Sequence, residues 1–344
     1  MRKRYRLLVV CAAMVLAPLL YGTARSALLI NGAGSTFGYP IYSKWFDAYA
    51  KIDPKVHFNY QSIGSGGGIM MLHNKTVEIG ASDAPLNDKQ EAGMPGAVLH
   101  FPSVLGAVVV MYNLPGVTGP IRLTGPVIAD IYLGKIVKWT DPAITKLNPG
   151  VTFPDKPILT VHRSDGSGTT FIFADYLTKV SPGWAKQVGK GTSLKWPVGL
   201  GGKGSEGVTA LVEQTPGAMG YVELTYALAN KINFVKIENR DGKWVTASLA
   251  GVTAAAAGAA ANMPADFRVS ITNAPGPDSY PISSFTWLLI YKNQANKERG
   301  QEVVKFLKWA LTDGQKYGPA LYYAPLPQAV VEKELKQVNE IKVP

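Results

Sequence analysis

The sequence predicts an α/β fold, because segments typical of strands alternate along the chain with segments that have the period of an amphipathic helix. Residues 56–60 alternate between apolar and polar side chains, as a half-buried strand does. Residues 104–111 (VLGAVVVM) form a continuous apolar run, which is typical of a buried strand. Residues 40–52 have the helical period. A chain of 344 residues is long enough for about two domains of this kind.

The remaining elements follow the same alternation. Residues 158–161, 220–222 and 286–291 are predicted as further strands. The helix over 40–52 buries the stripe Ile41, Trp45, Phe46 and Tyr49. A second helical stripe near the C-terminus consists of Val303, Phe306, Leu307, Ala310 and Leu311. The Ala/Gly-rich segment 250–261 is either a helix or a flexible surface segment, and we favour the helix, although the sequence indicates no role for it.

The first 26 residues have the three parts of a secretory signal peptide: a basic start, an apolar run over 7–20, and small residues near position 26. The apolar run is shorter than the roughly 20 residues that span a bilayer, so a signal anchor is the less favoured alternative. Cys11 lies inside the apolar run rather than at its end, which does not fit a lipoprotein. We expect an exported, periplasmic protein.

Composition excludes several classes of function. The chain has one cysteine and four histidines, too few for a disulfide scaffold or a Cys-rich zinc site. Five of its 35 Lys and Arg residues lie in the predicted signal peptide, so the rest carries 30 basic residues against 24 acidic ones. This mild excess lacks a clustered basic tail and makes nucleic acid a poor partner. We expect no metal and no cofactor.

Three segments combine small residues with a following helical pattern: residues 31–37, 64–68 and 163–169. A glycine-rich turn at the start of a helix can bind an anion, because the first N–H groups lack partners and the helix dipole adds partial positive charge. Ser and Thr add hydroxyl donors, and Arg163 adds a full charge. Each turn alone could be an ordinary helix cap. Three of one kind favour an anion site.

Enzymatic alternatives have little support in the sequence. Residues 199–204 lack the spacing of a nucleotide-binding P-loop and have no hydroxyl after Lys203. No G-x-S-x-G nucleophile elbow is present. His162 precedes Ser167 by five residues, but a histidine at the end of an apolar strand is more often structural. We therefore expect a binding protein rather than an enzyme.

Seven motifs in order carry a resemblance to a known family: GAGSTF (32–37), IGSGGG (63–68), GASDAPL (80–86), DIYLGKIVKW (130–139), RSDGSGTTF (163–171), WPVGLGGKG (196–204) and PGAMGYVE (216–223). Together they resemble the periplasmic phosphate-binding proteins of high-affinity phosphate ABC transporters. The resemblance covers nearly the whole chain after the signal peptide.

The resemblance implies a type II periplasmic-binding-protein fold, with two α/β lobes and the ligand in the cleft between them. Lobe one would comprise residues 27–104 and 284–344, and lobe two residues 105–283. The implied partners are inorganic phosphate and the membrane permease subunits of a phosphate ABC transporter, and the protein would be a monomer.

The resemblance also implies a set of phosphate ligands: Thr36, Phe37, Ser65, Asp83, Arg163, Ser167, Gly168 and Thr169. Asp165 would pair with Arg163 and orient its guanidinium. The chain departs from the commonest family pattern at His162, Ser35 and Gly66, and none of these positions removes a matched donor.

A carboxylate beside an anion makes chemical sense for phosphate. Phosphate carries a proton at neutral pH, and Asp83 can accept it, whereas fully deprotonated sulfate would face Asp83 as a like charge. Sulfate or molybdate is therefore the weaker alternative among oxyanions. A secreted phosphate-binding protein of the DING type is another alternative, and the residues Ile30–Gly32 do not separate the two. A hydrolase remains the alternative from a different class.

Overall fold

The computed structural model describes residues 27–117 and 119–344. The predicted signal peptide, residues 1–26, lies outside the described residues. Among the residues that are described, the helices are too short or too polar to cross a bilayer.

Strands and helices alternate as the sequence predicts. The strands are β1 Leu28–Gly34, β2 Val56–Ser62, β3 Ile79–Ser82, β4 Val98–Tyr112, β5 Arg122–Leu123, β6 Leu159–Arg163, β7 Leu200–Gly202, β8 Ala218–Glu223, β9 Lys236–Glu238, β10 Trp244–Val245 and β11 Ser283–Tyr291. The helices are α1 Tyr39–Ile52, α2 Ser65–His73, α3 Asp88–Gly93, α4 Gly125–Tyr132, α5 Pro142–Thr145, α6 Gly168–Val180, α7 Pro182–Gln187, α8 Gly204–Gln214, α9 Leu224–Ala229, α10 Leu249–Ala261, α11 Lys297–Leu311 and α12 Gln328–Val338. Two short 3-10 helices, Asp313–Tyr317 and Pro319–Leu321, lie between α11 and α12.

An eight-stranded mixed sheet runs through the molecule in the order β2-β1-β3-β11-β4-β8-β6-β7. β1 is parallel to both β2 and β3, and β6 is parallel to both β7 and β8. β4 joins the two halves of the sheet, because residues 98–107 pair with β11 and residues 108–112 pair with β8, both antiparallel. A small second sheet has the order β10-β9-β5.

β4 is longer than the apolar run predicted from the sequence. It begins at Val98, six residues before the predicted start, and its residues are buried almost without exception. Pro102 lies inside this strand, opposite Trp287, where the register of β11 shifts between Thr286 and Trp287. A bulge of this kind lets a strand tolerate a proline, which cannot donate to the ladder.

The predicted helices are confirmed. α1 buries Ile41, Trp45 and Tyr49 on one face, with Phe46 partly buried beside them. α11 buries the whole stripe that the sequence indicates. The Ala/Gly-rich segment forms α10, which packs against β4, β11 and α12.

Two of the three predicted turns are shorter than the sequence suggests. Residues 31–34 are the end of β1 rather than part of a turn, because all four pair with β2 and residues 32–34 also pair with β3. Gly66, Gly67 and Gly68 belong to the first turn of α2, which already begins at Ser65. In the third segment, Arg163 ends β6 and Gly168 begins α6, as expected.

The carboxyl ends of four strands lead into the candidate site. β1 ends before Ser35, β2 before Ser65, and β3 before Asp83, while β6 ends at Arg163. In open α/β sheets, ligands bind in the crevice beyond the carboxyl ends of the strands.

Candidate functional site

The predicted site residues come together in one buried cluster. Ser65 links them: its Oγ accepts hydrogen bonds from the Gly168 amide at 3.0 Å and from the Asp83 amide at 3.1 Å. The Ser65 hydroxyl lies 3.4 Å from Asp83 Oδ2. Residues that are about 100 positions apart in the chain therefore meet at a single hydroxyl group.

Helix N-termini surround this cluster. α2 begins at Ser65, α6 at Gly168 and α8 at Gly204. α8 reaches the cluster through Ser205, whose hydroxyl is 2.9 Å from the hydroxyl of Thr36. Each N-terminus contributes partial positive charge and N–H groups without helical partners. The cluster is built to favour an anion.

Several backbone donors in the cluster are unused. The amide N–H groups of Thr36, Phe37 and Thr169 donate to no acceptor among the described residues. These three residues are at most 1% exposed. Buried N–H groups almost always have a partner, so these donors indicate a ligand with acceptor oxygens.

Phe37 acts through its backbone. Its side chain is fully buried and lies edge-on to Tyr323, with the ring centroids 6.2 Å apart. The Tyr323 hydroxyl donates to the Phe37 carbonyl at 2.6 Å. Packing and this hydrogen bond fix the turn before α1, and so fix the direction of its amide groups.

Arg163 is a buried cation held by a carboxylate. Its Nε donates to Asp165 Oδ1 at 2.8 Å, and one terminal nitrogen donates to Oδ2 at 2.5 Å. The Gly204 amide donates to the same Oδ1 at 3.0 Å. Burial raises the pKa of Asp165, but the bonds from Arg163 outweigh it and hold that pKa below its usual value.

The second terminal nitrogen of Arg163 makes two long contacts within the part of the chain that the structure describes. It lies 3.4 Å from Thr169 Oγ1 and 3.5 Å from Ser205 Oγ. A guanidinium has five N–H donors, and the bidentate pair with Asp165 uses two of them. Arg163 is only 4% exposed, so its remaining donors are directed into the protein.

Asp83 is the carboxylate of the cluster and is 1% exposed. Its Oδ1 accepts hydrogen bonds from the hydroxyls of Ser35 and Thr286, the latter at 2.7 Å. Burial raises the pKa of Asp83 to about 6, although these hydroxyls, Ser65 and the charge of Arg163 oppose the rise. Asp83 is therefore mostly ionised at neutral pH.

Ser167 caps helix α6. Its Oγ accepts a hydrogen bond from the Thr170 amide at 3.1 Å, and its own amide donates to the Thr192 carbonyl at 2.7 Å. The hydroxyl proton of Ser167 can still be donated while Oγ accepts, so capping and ligand binding are compatible.

Chain segments that follow the two halves of the sheet contact each other at the cluster. The Gly66 amide donates to the Gly166 carbonyl at 2.8 Å. A Cβ atom on Gly168 would lie 2.5 Å from Ser65 Oγ and 2.6 Å from Asp83 Cβ. Glycine at these positions is what allows the two chain segments to approach so closely.

His162 has a structural environment. Its ring stacks on Trp196, with the centroids 4.7 Å apart and the planes 8° from parallel. Burial lowers its pKa. Within residues 27–117 and 119–344, no group of three or more His, Cys, Asp or Glu side chains could hold a metal ion.

Three residues of the cluster were not predicted as site residues: Ser35, Ser205 and Thr286. Ser205 had a signal that could have found it, because β7, a glycine turn and α8 repeat the strand–turn–helix pattern of the other segments. Ser35 is one of the positions at which the chain departs from the commonest family pattern. Thr286 precedes the apolar run 287–290, and nothing in its local sequence indicates a contact with Asp83.

Comparisons with known proteins agree with the fold. A family model described as PBP superfamily domain matches residues 21–313. A solved high-affinity periplasmic phosphate-binding protein, named PfluDING and bound with phosphate, matches with a TM-score of 0.73 at 21% identity. That match covers 92% of this chain and 100% of the other. A phosphate-binding protein from Stenotrophomonas maltophilia matches with a TM-score of 0.70 at 20% identity, over 90% of this chain and 93% of the other.

Curated relatives are much closer in sequence. The phosphate-binding protein PstS of Xylella fastidiosa (strain 9a5c) is 46% identical over 308 residues, which cover 88% of this chain and 83% of the relative. PstS of Pasteurella multocida (strain Pm70) is 45% identical over 93% of both chains. The chain therefore belongs to the PBP superfamily and, within it, to the family of the phosphate-binding proteins PstS.

Proposed function

We propose that this protein captures one inorganic phosphate ion in the buried cluster around Ser65, Asp83 and Arg163. The observation that carries the proposal is the set of buried amide donors, from Thr36, Phe37 and Thr169, that have no acceptor among the described residues. A tetrahedral oxyanion offers acceptors to several donors at once. The names of the relatives, which are phosphate-binding proteins, support the same ligand.

Phosphate fits the cluster better than a fully deprotonated oxyanion such as sulfate because of Asp83. An ionised carboxylate can accept a hydrogen bond from the O–H group of HPO₄²⁻ or H₂PO₄⁻, but it repels a dianion that has no proton. Arg163 supplies the opposing charge, and the neutral N–H and O–H groups supply charge-assisted hydrogen bonds. The cluster therefore combines anion binding with a requirement for a protonated anion.

The role we propose is the capture of phosphate outside the cytoplasm and its delivery to the membrane permease of an ABC transporter, by a monomer exported through residues 1–26. Two lobes, 27–104 with 284–344 and 105–283, would close on the ligand. The proposed boundaries fall inside β4 and at the start of β11, where the two halves of the sheet join. Identities of 45–46% with PstS proteins, against 21% with PfluDING, favour transport over a DING-type role.

Calorimetry on the purified chain without residues 1–26 tests the proposed ligand. Phosphate, arsenate, sulfate and molybdate are titrated separately at fixed pH and salt. We expect one phosphate per chain, arsenate binding of the same kind, and sulfate binding at least about a thousandfold weaker, since a site built for a hydrogen bond rejects ligands that lack it. Sulfate binding as tight as phosphate binding would contradict the proposal.

We expect no phosphatase turnover. His162 stacks on Trp196, and Ser167 serves as the cap of α6, so neither is arranged as a nucleophile with its base. Release of phosphate from common monoesters is measured with the wild type and with Ser167→Ala. Turnover that disappears in Ser167→Ala would favour a hydrolase instead.

Gly168→Ala is expected to weaken phosphate binding about 5- to 150-fold. The new Cβ would lie within 2.6 Å of Asp83 and Ser65, and overpacking of this kind typically costs about 1–3 kcal/mol. Gly258→Ala is the matched control, because a Cβ on this glycine of α10 meets no atom of the described residues within 4 Å. Phosphate titration and thermal melting of both variants separate binding from stability. Equal phosphate affinity in the two variants would show that contact between the halves is not needed for binding.

A further inference from the structure

The two oxygens of Asp83 have unequal surroundings. Oδ1 accepts hydrogen bonds from the hydroxyls of Ser35 and Thr286. Oδ2 has a single contact within hydrogen-bond distance among the described residues, the Ser65 hydroxyl at 3.4 Å. An ionised carboxylate has about four lone-pair sites, two on each oxygen. Oδ1 is therefore saturated, and the remaining acceptor capacity of Asp83 is on Oδ2.

The two hydroxyls that saturate Oδ1 are themselves held in place. Ser35 Oγ accepts a hydrogen bond from the Gly38 amide at 2.9 Å, so its own proton is available for Asp83. Thr286 Oγ1 lies 3.0 Å from the hydroxyl of Tyr42. Ser35, Thr286 and Tyr42 are fully buried, so water does not compete for these bonds.

We infer that Ser35 and Thr286 determine the anion selectivity of the site. They occupy one oxygen of the ionised Asp83 carboxylate, so the other oxygen is left to accept a hydrogen bond from the protonated oxygen of the ligand. This inference rests on the proposed function. Ser35 and Thr286 are positioning residues, since they act through Asp83 and need not touch the anion. Their hydrogen bonds fix which edge of the carboxylate meets the ligand and keep that carboxylate charged.

Among the groups around Asp83, the two hydroxyls and Arg163 are the ones that keep its carboxylate ionised. The other titratable groups that influence Asp83 or are influenced by it are Tyr42 on α1, Tyr60 on β2 and Glu223 on β8. Burial raises the pKa of each of them, which favours their neutral forms. Arg163 is thus the charged side chain that favours ionised Asp83. Ser35 and Thr286 donate the hydrogen bonds that lower the pKa of Asp83 most.

Sulfate reports the protonation of Asp83, because sulfate itself does not titrate near neutrality. Protonated Asp83 can donate to a sulfate oxygen, so sulfate binding should strengthen in the wild type as the pH falls through about 6. A hydrogen bond to the ionised form lowers a pKa, so removing one raises it. Ser35→Ala and Thr286→Val should therefore each bind sulfate about tenfold or more tightly than the wild type at pH 8.

The experiment is calorimetric titration of sulfate and phosphate from about pH 5 to pH 9. The variants are Ser35→Ala, Thr286→Val, the conservative Thr286→Ser, and Ser283→Ala as a control on the same strand, since Ser283 donates to the Tyr280 carbonyl instead. We expect the sulfate profile to move to higher pH in Ser35→Ala and Thr286→Val. Thr286→Ser and Ser283→Ala should keep the wild-type profile.

Two failures are distinguishable in this experiment. If the wild type does not bind phosphate, the proposed function is wrong. If the wild type binds phosphate but Ser35→Ala and Thr286→Val keep its sulfate profile, the inference alone is overturned. Circular dichroism of each variant checks the fold, and Ser35→Ala, which removes a single buried oxygen, decides the question should Thr286→Val fail to fold.

Discussion

Arg163→Ala is expected to weaken phosphate binding by about 30- to 5,000-fold. Loss of one partner of a buried, hydrogen-bonded charge pair costs about 2–5 kcal/mol, which converts to that range of affinity. Ser65→Ala, which removes a neutral hydroxyl, should cost about 0.5–1.5 kcal/mol and weaken binding about 2- to 13-fold. Calorimetry on the two variants gives the comparison. Equal losses would mean that Arg163 does not contact the ligand.

Asp165 requires a control of its own, because Arg163→Ala leaves this carboxylate with the Gly204 amide as its remaining close donor. The double variant Arg163→Ala/Asp165→Ala removes the unpaired charge. It should bind phosphate as weakly as the single variant does, since the cation is absent from both. Recovery of wild-type affinity in the double variant would assign the loss to Asp165 instead. Arg299→Ala, which breaks a pair with Glu78 outside the site, is the matched surface control.

Asp83→Asn is expected to reduce the selectivity for phosphate over sulfate by up to about 10⁴-fold. The amide oxygen can keep the hydrogen bonds from Ser35 and Thr286, which places the NH₂ group on the side of Oδ2. That group donates to sulfate and no longer repels it, while phosphate loses the acceptor for its proton. The ratio of the two affinities, titrated at one pH and salt concentration, is the quantity to measure.

Asp175→Asn is the matched control for Asp83→Asn. Asp175 is also 1% exposed and hydrogen-bonded, but its partners are Lys190, Ser270 and Thr272. This variant should keep the wild-type ratio even if its melting temperature falls. An unchanged ratio of the two affinities in Asp83→Asn would show that Asp83 has a structural role and does not set the selectivity.

The sequence predicts the fold well where the evidence is local. The stripes of α1 and α11 and the alternation of β2 depend on side-chain periodicity, which the sequence displays directly. The first part of β4 could not be predicted in the same way, because Pro102 interrupts the pattern. The strand forms there because β4 itself bulges next to the proline: Val104 pairs with Thr286 and Pro102 with Trp287, so Ser103 has no partner on β11. That bulge depends on the pairing of two distant segments.

In the candidate site, too, the features with a local sequence signal could be predicted and those that depend on long-range contacts could not. Glycine-rich turns before helices are local signals, and they predict an anion site over residues 31–37, 64–68 and 163–169. The individual ligands, such as Ser65 and Gly168, are implied by the resemblance to the family. Thr286 is 203 positions from Asp83, so its contact with Asp83 exists only in the folded chain. The shift in the pKa of Asp83 likewise arises from burial, which no short motif specifies.

A crystal structure of the chain with bound phosphate tests the central claim most directly. We predict one phosphate that accepts hydrogen bonds from the amides of Thr36 and Phe37 and from Arg163, with one of its oxygens within about 2.5–2.7 Å of the Asp83 oxygen that Ser35 and Thr286 do not contact. Phosphate bound elsewhere, or Asp83 turned away from the ion, would contradict the account.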